Sequence, residues 1–175
     1  MSHIIITGLA GCGKTIIATD LSGKLGFPVL HCDDFRFGPN WFRKTYEDYS
    51  AGLLAAVYAD DQPKIIEGAY YDAHDPEHCR MRAFHELIKG GQVKEIYIVF
   101  SNKITQVSQL IDRCIGRANG TIPQGTCVES SHNRACLLIK AIENYDTNVL
   151  QLNMLAEMAG IMNIPVQRIE IKMSI

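Results

Sequence analysis

The stretch Gly8-Leu-Ala-Gly-Cys-Gly-Lys14-Thr15 constrains this chain more than any other. It fits the pattern G-x-x-x-x-G-K-[ST], follows the apolar run Ile4-Ile5-Ile6, and opens a segment from Thr15 to Leu25 that reads as a helix. A strand before and a helix after are the setting in which this pattern makes a phosphate-binding loop, the P-loop. Glycines let the backbone fold back so that successive N–H groups face one point, and the helix N-terminus adds partial positive charge there. The expected ligand is the phosphate chain of a nucleotide, held by Gly8, Ala10, Gly11, Cys12, Gly13, Lys14, Thr15 and Ile16. Lys14 brings a point charge to the β- and γ-phosphates, and the Thr15 hydroxyl is the expected Mg²⁺ ligand.

Composition narrows the class. The chain has 175 residues, 47% of them hydrophobic, a one-domain length (1–175) that can bury a core. A formal charge of −2 and a pI near 6.3 weigh against a nucleic-acid or membrane surface. Met-Ser-His leads straight into the first strand, and no apolar stretch reaches about 18 residues, so a soluble, cytoplasmic protein is expected. The six cysteines show no C-x-x-C spacing and read as thiols, mostly small buried hydrophobes. Cys12 is set apart: at a helix N-terminus beside Lys14 its thiol pKa is expected to fall, making it easy to oxidise or alkylate.

Beyond the loop, apolar runs at Val29–His31, Lys64–Gly68 and Ile96–Phe100 read as short strands, and the alternation from Pro165 to Met173 as a half-exposed edge strand. Helical periods fill the intervals from Thr45 to Asp60, from Pro76 to Lys89, from Lys103 to Arg117 and from Arg134 to about Gly160. In the third of these, Ile104, Val107, Ile111 and Cys114 share one face, which leaves Arg113 and Arg117 outward and adjacent. Ala118 to Asn133, with Gly120, Pro123 and Gly125, reads as a flexible loop. Strands alternating with helices give an α/β fold with a five-stranded parallel sheet and right-handed crossovers. The loops at the strands' carboxyl ends then gather Gly8–Thr15, Asp33-Asp34, Glu67-Gly68 and Asn102 around one crevice.

These positions suggest chemistry. Asp33, at the end of the second strand, either takes a proton from an acceptor hydroxyl or helps to hold Mg²⁺; a phosphate acceptor would instead need extra cations, for which Arg36, Arg43 and Lys44 are candidates. Glu67 is an outer-sphere Mg²⁺ ligand or a substrate contact. Arg113 and Arg117, just before the flexible loop, and Arg134, just after it, fit arginines carried by a closing lid to the charge that develops in phosphoryl transfer. Trp41 and Phe42 either stack on a base or sugar or form a local hydrophobic clasp. Tyr70, Tyr71, Asp72 and His74 either line an acceptor pocket or belong to a polar loop. The guanine-reading N-K-x-D is absent, which disfavours a GTPase.

Taken together, Gly-x-x-Gly-x-Gly-Lys-Thr, Asp33-Asp34-Phe35, Pro39-Asn40-Trp41, Ile65-Ile66-Glu67-Gly68 and Asp112-Arg113-x-x-x-Arg117 resemble the small P-loop kinases related to adenylate kinase. The Pro-Asn-Trp stretch looks like the group called DNA topology modulation proteins. His31-Cys-Asp33-Asp34-Phe35 is similar to the H-x-D-D-F of nicotinamide riboside and uridine kinases, in which the first Asp acts at the acceptor hydroxyl. The resemblance implies a three-layer α/β/α fold with sheet order 2-3-1-4-5, an acceptor-binding insertion at 35–62 and a helical lid at 118–133. Glu67-Gly68-Ala-Tyr-Tyr stands where adenylate kinases carry Asp-Gly-x-Pro-Arg, which weighs against AMP as acceptor. The expected function is Mg-ATP-dependent phosphoryl transfer to a small molecule, a nucleoside or nucleotide. The alternative is a regulatory or nucleic-acid-associated NTP-binding protein with slow hydrolysis.

Overall fold

A computed structural model describes residues 2–38, 42–72, 75, 77–121 and 131–172, and for residues 131–135 and 137 the backbone alone. Its first half runs β1 (His3–Gly8), α1 (Lys14–Leu25), β2 (Val29–His31), α2 (Cys32–Arg36), α3 (Tyr46–Val57) and β3 (Ile65–Glu67). The second half runs α4 (Cys79–Lys89), β4 (Val93–Ser101), α5 (Lys103–Ala118), α6 (Ser131–Glu143), α7 (Tyr145–Ile161) and β5 (Val166–Ile171). The strands form one sheet in the order β2-β3-β1-β4-β5, every pair parallel. This is the predicted order, and β5 is the edge strand with the half-exposed alternation its sequence suggests. No helix of the described residues is long and apolar enough to cross a membrane.

Parallel register brings the functional ends level. Leu30, Ile66, Ile5 and Ile96 form one row across the sheet, and His31, Glu67, Ile6 and Tyr97 the next. β1 is buried along its whole length, as a strand covered on both faces must be. Each of its three isoleucines contributes about 2–3 kcal/mol by leaving water. β1 also ends where no side chain fits: a Cβ on Gly8 would lie 2.1 Å from the Val99 carbonyl oxygen, and its φ of 151° is one that L residues rarely adopt. Close contact with β4 thus forces the chain to turn away into the loop that follows.

Helix boundaries follow from local chemistry. Gly26 closes α1 in the left-handed conformation at φ 71°, Thr45 caps α3 by accepting the Asp48 amide, and Asn102 caps α5 by accepting that of Thr105. Two expectations need correction. The helix expected from Arg134 to Gly160 is broken at Asn144 into α6 and α7. More consequentially, α5 is rotated. Its buried residues are Thr105, Gln106, Leu110 and Gly116, whereas Ile104, Ile111 and Ile115 are exposed and Arg113 and Arg117 are half-buried. Apolar periodicity normally decides which face of a helix is covered. Here contact with the phosphate-loop backbone decides it, and the inward stripe is Gln106, Leu110, Arg113 and Arg117.

Candidate active site

The loop between β1 and α1 takes its shape from backbone contacts. Leu9 N–H donates to the Val99 carbonyl at 3.3 Å, and the Ile16 and Ile17 amides both turn to the Gly13 carbonyl, at 3.1 and 3.2 Å. Gly11 and Gly13 sit at φ 77° and 84°. A side chain on Gly11 would collide with Leu110, at 2.8 Å, so α5 can rest directly on the loop. Gln106, fully buried on the same helix, donates its Nε2 hydrogen to the Ala10 carbonyl at 3.0 Å. The amides at the start of α1, those of Lys14 and Thr15 among them, have no acceptor within the helix and are available to an anion. Ile16 exposes its side chain, so what it can offer a nucleotide is backbone.

Lys14 lies across this loop and donates from Nζ to the Leu9 carbonyl at 2.8 Å. Thr15 Oγ1 donates to Glu67 Oε2 at 3.4 Å, and the same carboxylate oxygen accepts from His31 Nδ1 at 2.8 Å. The row of residues across β2 and β3 explains the second contact, since His31 and Glu67 are register partners. The Glu67 hydrogen bond raises the His31 pKa above its ordinary value, against the opposing effect of partial burial. Thr15 and Glu67 thus come together as the sequence proposed.

Asp33 is held differently. It lies in α2, a single helical turn where the sequence suggested only the end of a strand, and accepts from Arg80 Nη2 at 2.6 Å. Its surroundings work to desolvate the carboxylate and raise its pKa, but Arg80, helped by the charges of Lys14 and Arg113, outweighs this and holds the group below the usual carboxylate value. The Asp33 side chain is still 60% exposed. Its partner in the structure is Arg80, while Thr15 and Glu67 partner each other, so the expected metal role of Asp33 is not carried over. The reach of Arg113's charge to Asp33 puts that arginine on the crevice side of α5, with Arg117 one turn beyond.

Other expected residues lie elsewhere. Arg36, expected as a substrate cation, is buried and donates from Nη2 to Asp75 Oδ1 at 2.9 Å; the α2 turn points it into the protein, where only a carboxylate makes burial tolerable. Arg43 donates to Asp72 at 2.9 Å and is one-third exposed. Tyr70, expected to touch substrate, is 3% exposed, and its hydroxyl meets His85 Nε2 at 2.6 Å. Burial pushes its phenol up to about 12. It belongs to the core. Trp41 and His74, together with 122–130 of the expected lid and the side chain of Arg134, lie outside the described residues.

Cys12 is a clear reversal. Its side chain is fully buried and its Sγ lies 2.8 Å from the Leu9 carbonyl oxygen, so it points under the loop rather than toward a phosphate. Burial raises its pKa and outweighs the lowering influence of Lys14. The helix-end argument gives the sign of the electrostatic contribution and misses the larger desolvation. Cys12 is therefore expected to resist iodoacetamide in the native protein, with peptide mass analysis finding its adduct only after denaturant; native labelling at the rate of a free thiol would contradict this placement.

Arg80 escapes the sequence reading altogether, as do the contacts of His31 and Gln106. One sign was visible: positions 80, 84 and 87 form a stripe along α4, and Arg80 is a charged residue on a stripe otherwise buried and apolar. Such a residue needs a partner inside the protein, here Asp33, with Asp72 at 4.0 Å and the Phe37 ring 5.5 Å below its guanidinium.

No protein-family model matches the chain, and no curated protein matches it. Among solved structures it is similar to a provisionally named kinase from Chloroflexus aurantiacus, with 13% identity over 97% of this chain and 89% of that one, at a TM-score of 0.53. It also matches a gluconokinase from Sinorhizobium meliloti, with 12% identity over 88% of this chain and 97% of that one, at a TM-score of 0.46. A sugar kinase from Janibacter sp. matches with 13% identity over 83% of this chain and 95% of that one, at a TM-score of 0.46. At such identities it is the first likeness that bears on the chain, and it bears on the fold: an α/β domain whose five parallel strands run β2-β3-β1-β4-β5.

Proposed function

We propose that this chain is a Mg-ATP-dependent phosphotransferase that acts on the hydroxyl of a small molecule. The observation that carries the reading is Asp33, an exposed carboxylate fixed by Arg80 and under the charges of Lys14 and Arg113, beside a phosphate-binding loop. Thr15 and Glu67 already offer the oxygens that binding of a Mg-nucleotide needs, which leaves the Asp33 carboxylate for a further role.

The division of labour follows from the residues. Loop amides and Lys14 hold the phosphates, and Arg113 and Arg117 offer positive charge where the transferred group becomes more negative. Arg80 occupies Asp33 Oδ1 and orients the carboxylate, so its other oxygen can accept an acceptor hydroxyl. The acceptor oxygen bonds to the γ-phosphorus, the bond from that phosphorus to the bridging oxygen of ADP breaks, and Asp33 takes the hydroxyl proton. A lowered pKa makes Asp33 a weak base, which suits a loose transition state in which the proton leaves late. Thr15 Oγ1 and Glu67 make a small, all-oxygen donor set at the mouth of the loop. Such a set fits Mg²⁺, which takes few protein ligands alongside waters and phosphate oxygens. Bound there, Mg²⁺ would neutralise phosphate charge.

The test is ADP release from Mg-ATP with and without a panel of nucleosides, nucleotides, sugars and small alcohols. Stimulation of at least about tenfold by one class of hydroxyl compound is expected. Binding of ATP without stimulation by any member would remove the transferase reading and favour a regulatory nucleotide switch.

A further inference from the structure

We infer, taking the phosphotransferase reading as given, that the acceptor is an uncharged polyhydroxyl compound and not a phosphorylated or carboxylated one. The sequence left open whether Arg36, Arg43 and Lys44 serve to bind an anionic acceptor. The structure commits the acceptor-side arginines to carboxylates. Arg36 pairs with Asp75 at 2.9 Å, both buried. Arg43 pairs with Asp72 at 2.9 Å, and Arg80 with Asp33 at 2.6 Å. Asp72 also lies 4.0 Å from Arg80, so Arg43, Asp72, Arg80 and Asp33 form one alternating chain of charge beside the crevice.

With Lys44, Asp34 and Glu77, residues 33–44 and 70–80 supply four cations, Arg36, Arg43, Lys44 and Arg80, against five carboxylates, Asp33, Asp34, Asp72, Asp75 and Glu77. No positive excess remains on this side. Residues 39–41, 73, 74 and 76, outside the described set, include no lysine or arginine that would change the balance. Lys14, whose charge also reaches Asp33, belongs to the nucleotide side of the crevice. An acceptor phosphate or carboxylate would therefore approach the carboxylates of Asp33 and Asp72 and would have to displace one of them from its arginine. A neutral polyol meets no such opposition. Its hydroxyls can donate to Asp33 and Asp72 and accept from exposed guanidinium hydrogens of Arg43, so an alternating chain of acid and base suits groups that both donate and accept.

The experiment measures kcat/KM by ADP release for matched pairs: a nucleoside and its 5′-monophosphate, and an aldose and its aldonate. The neutral member of each productive pair is expected to be favoured by about 100-fold or more. Equal or greater use of the anionic member would overturn the inference and leave the transferase reading intact. If ATP binds and no member of any pair is turned over, the transferase reading fails and the inference with it. Asp72→Asn removes one carboxylate and leaves Arg43 its positive charge, so it should raise the anionic-to-neutral ratio about tenfold. An unchanged ratio, in a variant that melts like the parent protein, would show that these carboxylates do not set the preference and would also overturn the inference.

Discussion

Lys14→Ala is expected to weaken ATP binding by about 100- to 20,000-fold while the protein keeps its fold. A lysine spanning two phosphates makes about two charge-assisted hydrogen bonds, each contributing about 1.5–3 kcal/mol. Their loss predicts that range of affinity, read by titration calorimetry or a fluorescent nucleotide. Stability should hardly change, because among the described residues Lys14 Nζ bonds only to the Leu9 carbonyl, and the loop is shaped by its backbone contacts with Val99 and by the seat of Leu110 on Gly11. Lys14→Arg should not restore binding, since a planar fork does not replace a compact ammonium in a loop this close. A second consequence is electrostatic. Lys14 is one of the cations that hold Asp33 low, so its removal should move the Asp33 pKa upward. Unchanged ATP affinity in Lys14→Ala would remove the phosphate-loop assignment, and every further role in the crevice depends on that assignment.

How much of this was legible in the sequence depends on which interaction determines each position. The loop and the sheet were legible because they are local: glycines at fixed spacing, a strand before, a helix after, and apolar runs with no polar face. The level placement of His31, Glu67 and Ile6 then follows from parallel register, and so does the meeting of Thr15 with Glu67. The orientation of α5 was not legible. Its apolar stripe has the stronger periodicity, yet Gln106 and Leu110 are drawn inward because the loop presents a carbonyl that needs a donor and a glycine that leaves room. That rotation carries Arg113 from the solvent side, where spacing put it, to within reach of Asp33. Arginine roles failed in the same way: Arg36, Arg43 and Arg80 differ little in local sequence, and which one faces substrate is decided by carboxylates 29 to 47 residues away along the chain.

Two structural choices of this chain therefore have a common origin. Burying Arg80 on the apolar face of α4 requires a carboxylate, and turning the cationic face of α5 inward requires negative charge in front of it. Asp33 supplies the first and contributes to the second, and in the proposed function the phosphates of a bound nucleotide would add to it. In the proposed enzyme the acceptor-side pairs close among themselves, while Lys14, Arg113 and Arg117 would face the nucleotide, so the crevice would be electrostatically divided along Asp33.

Asp33→Asn tests that division most directly. Loss of the proton acceptor is expected to lower kcat by about 100- to 10,000-fold, with ATP affinity unchanged within about threefold. The amide has nearly the same shape, but it no longer balances the Arg80 guanidinium, which is 9% exposed. Breaking a buried pair from one side costs about 3–5 kcal/mol, and here Asp33 is largely exposed and Asp72 lies at 4.0 Å, so a loss of about 2 kcal/mol is expected in urea unfolding. The pH dependence has a definite sign. A carboxyl whose folded pKa is depressed stabilises the protein above its unfolded pKa, and that contribution is lost as pH falls through the folded value. Wild type should therefore lose stability relative to Asp33→Asn below about pH 4, where the difference between them narrows. Stability and catalysis separate in the double variant Asp33→Asn with Arg80→Met, which removes the stranded charge. Its stability should recover toward wild type while kcat stays low. If kcat recovers along with stability, Asp33 is a structural counter-charge for Arg80 and the proton acceptor lies elsewhere in the crevice.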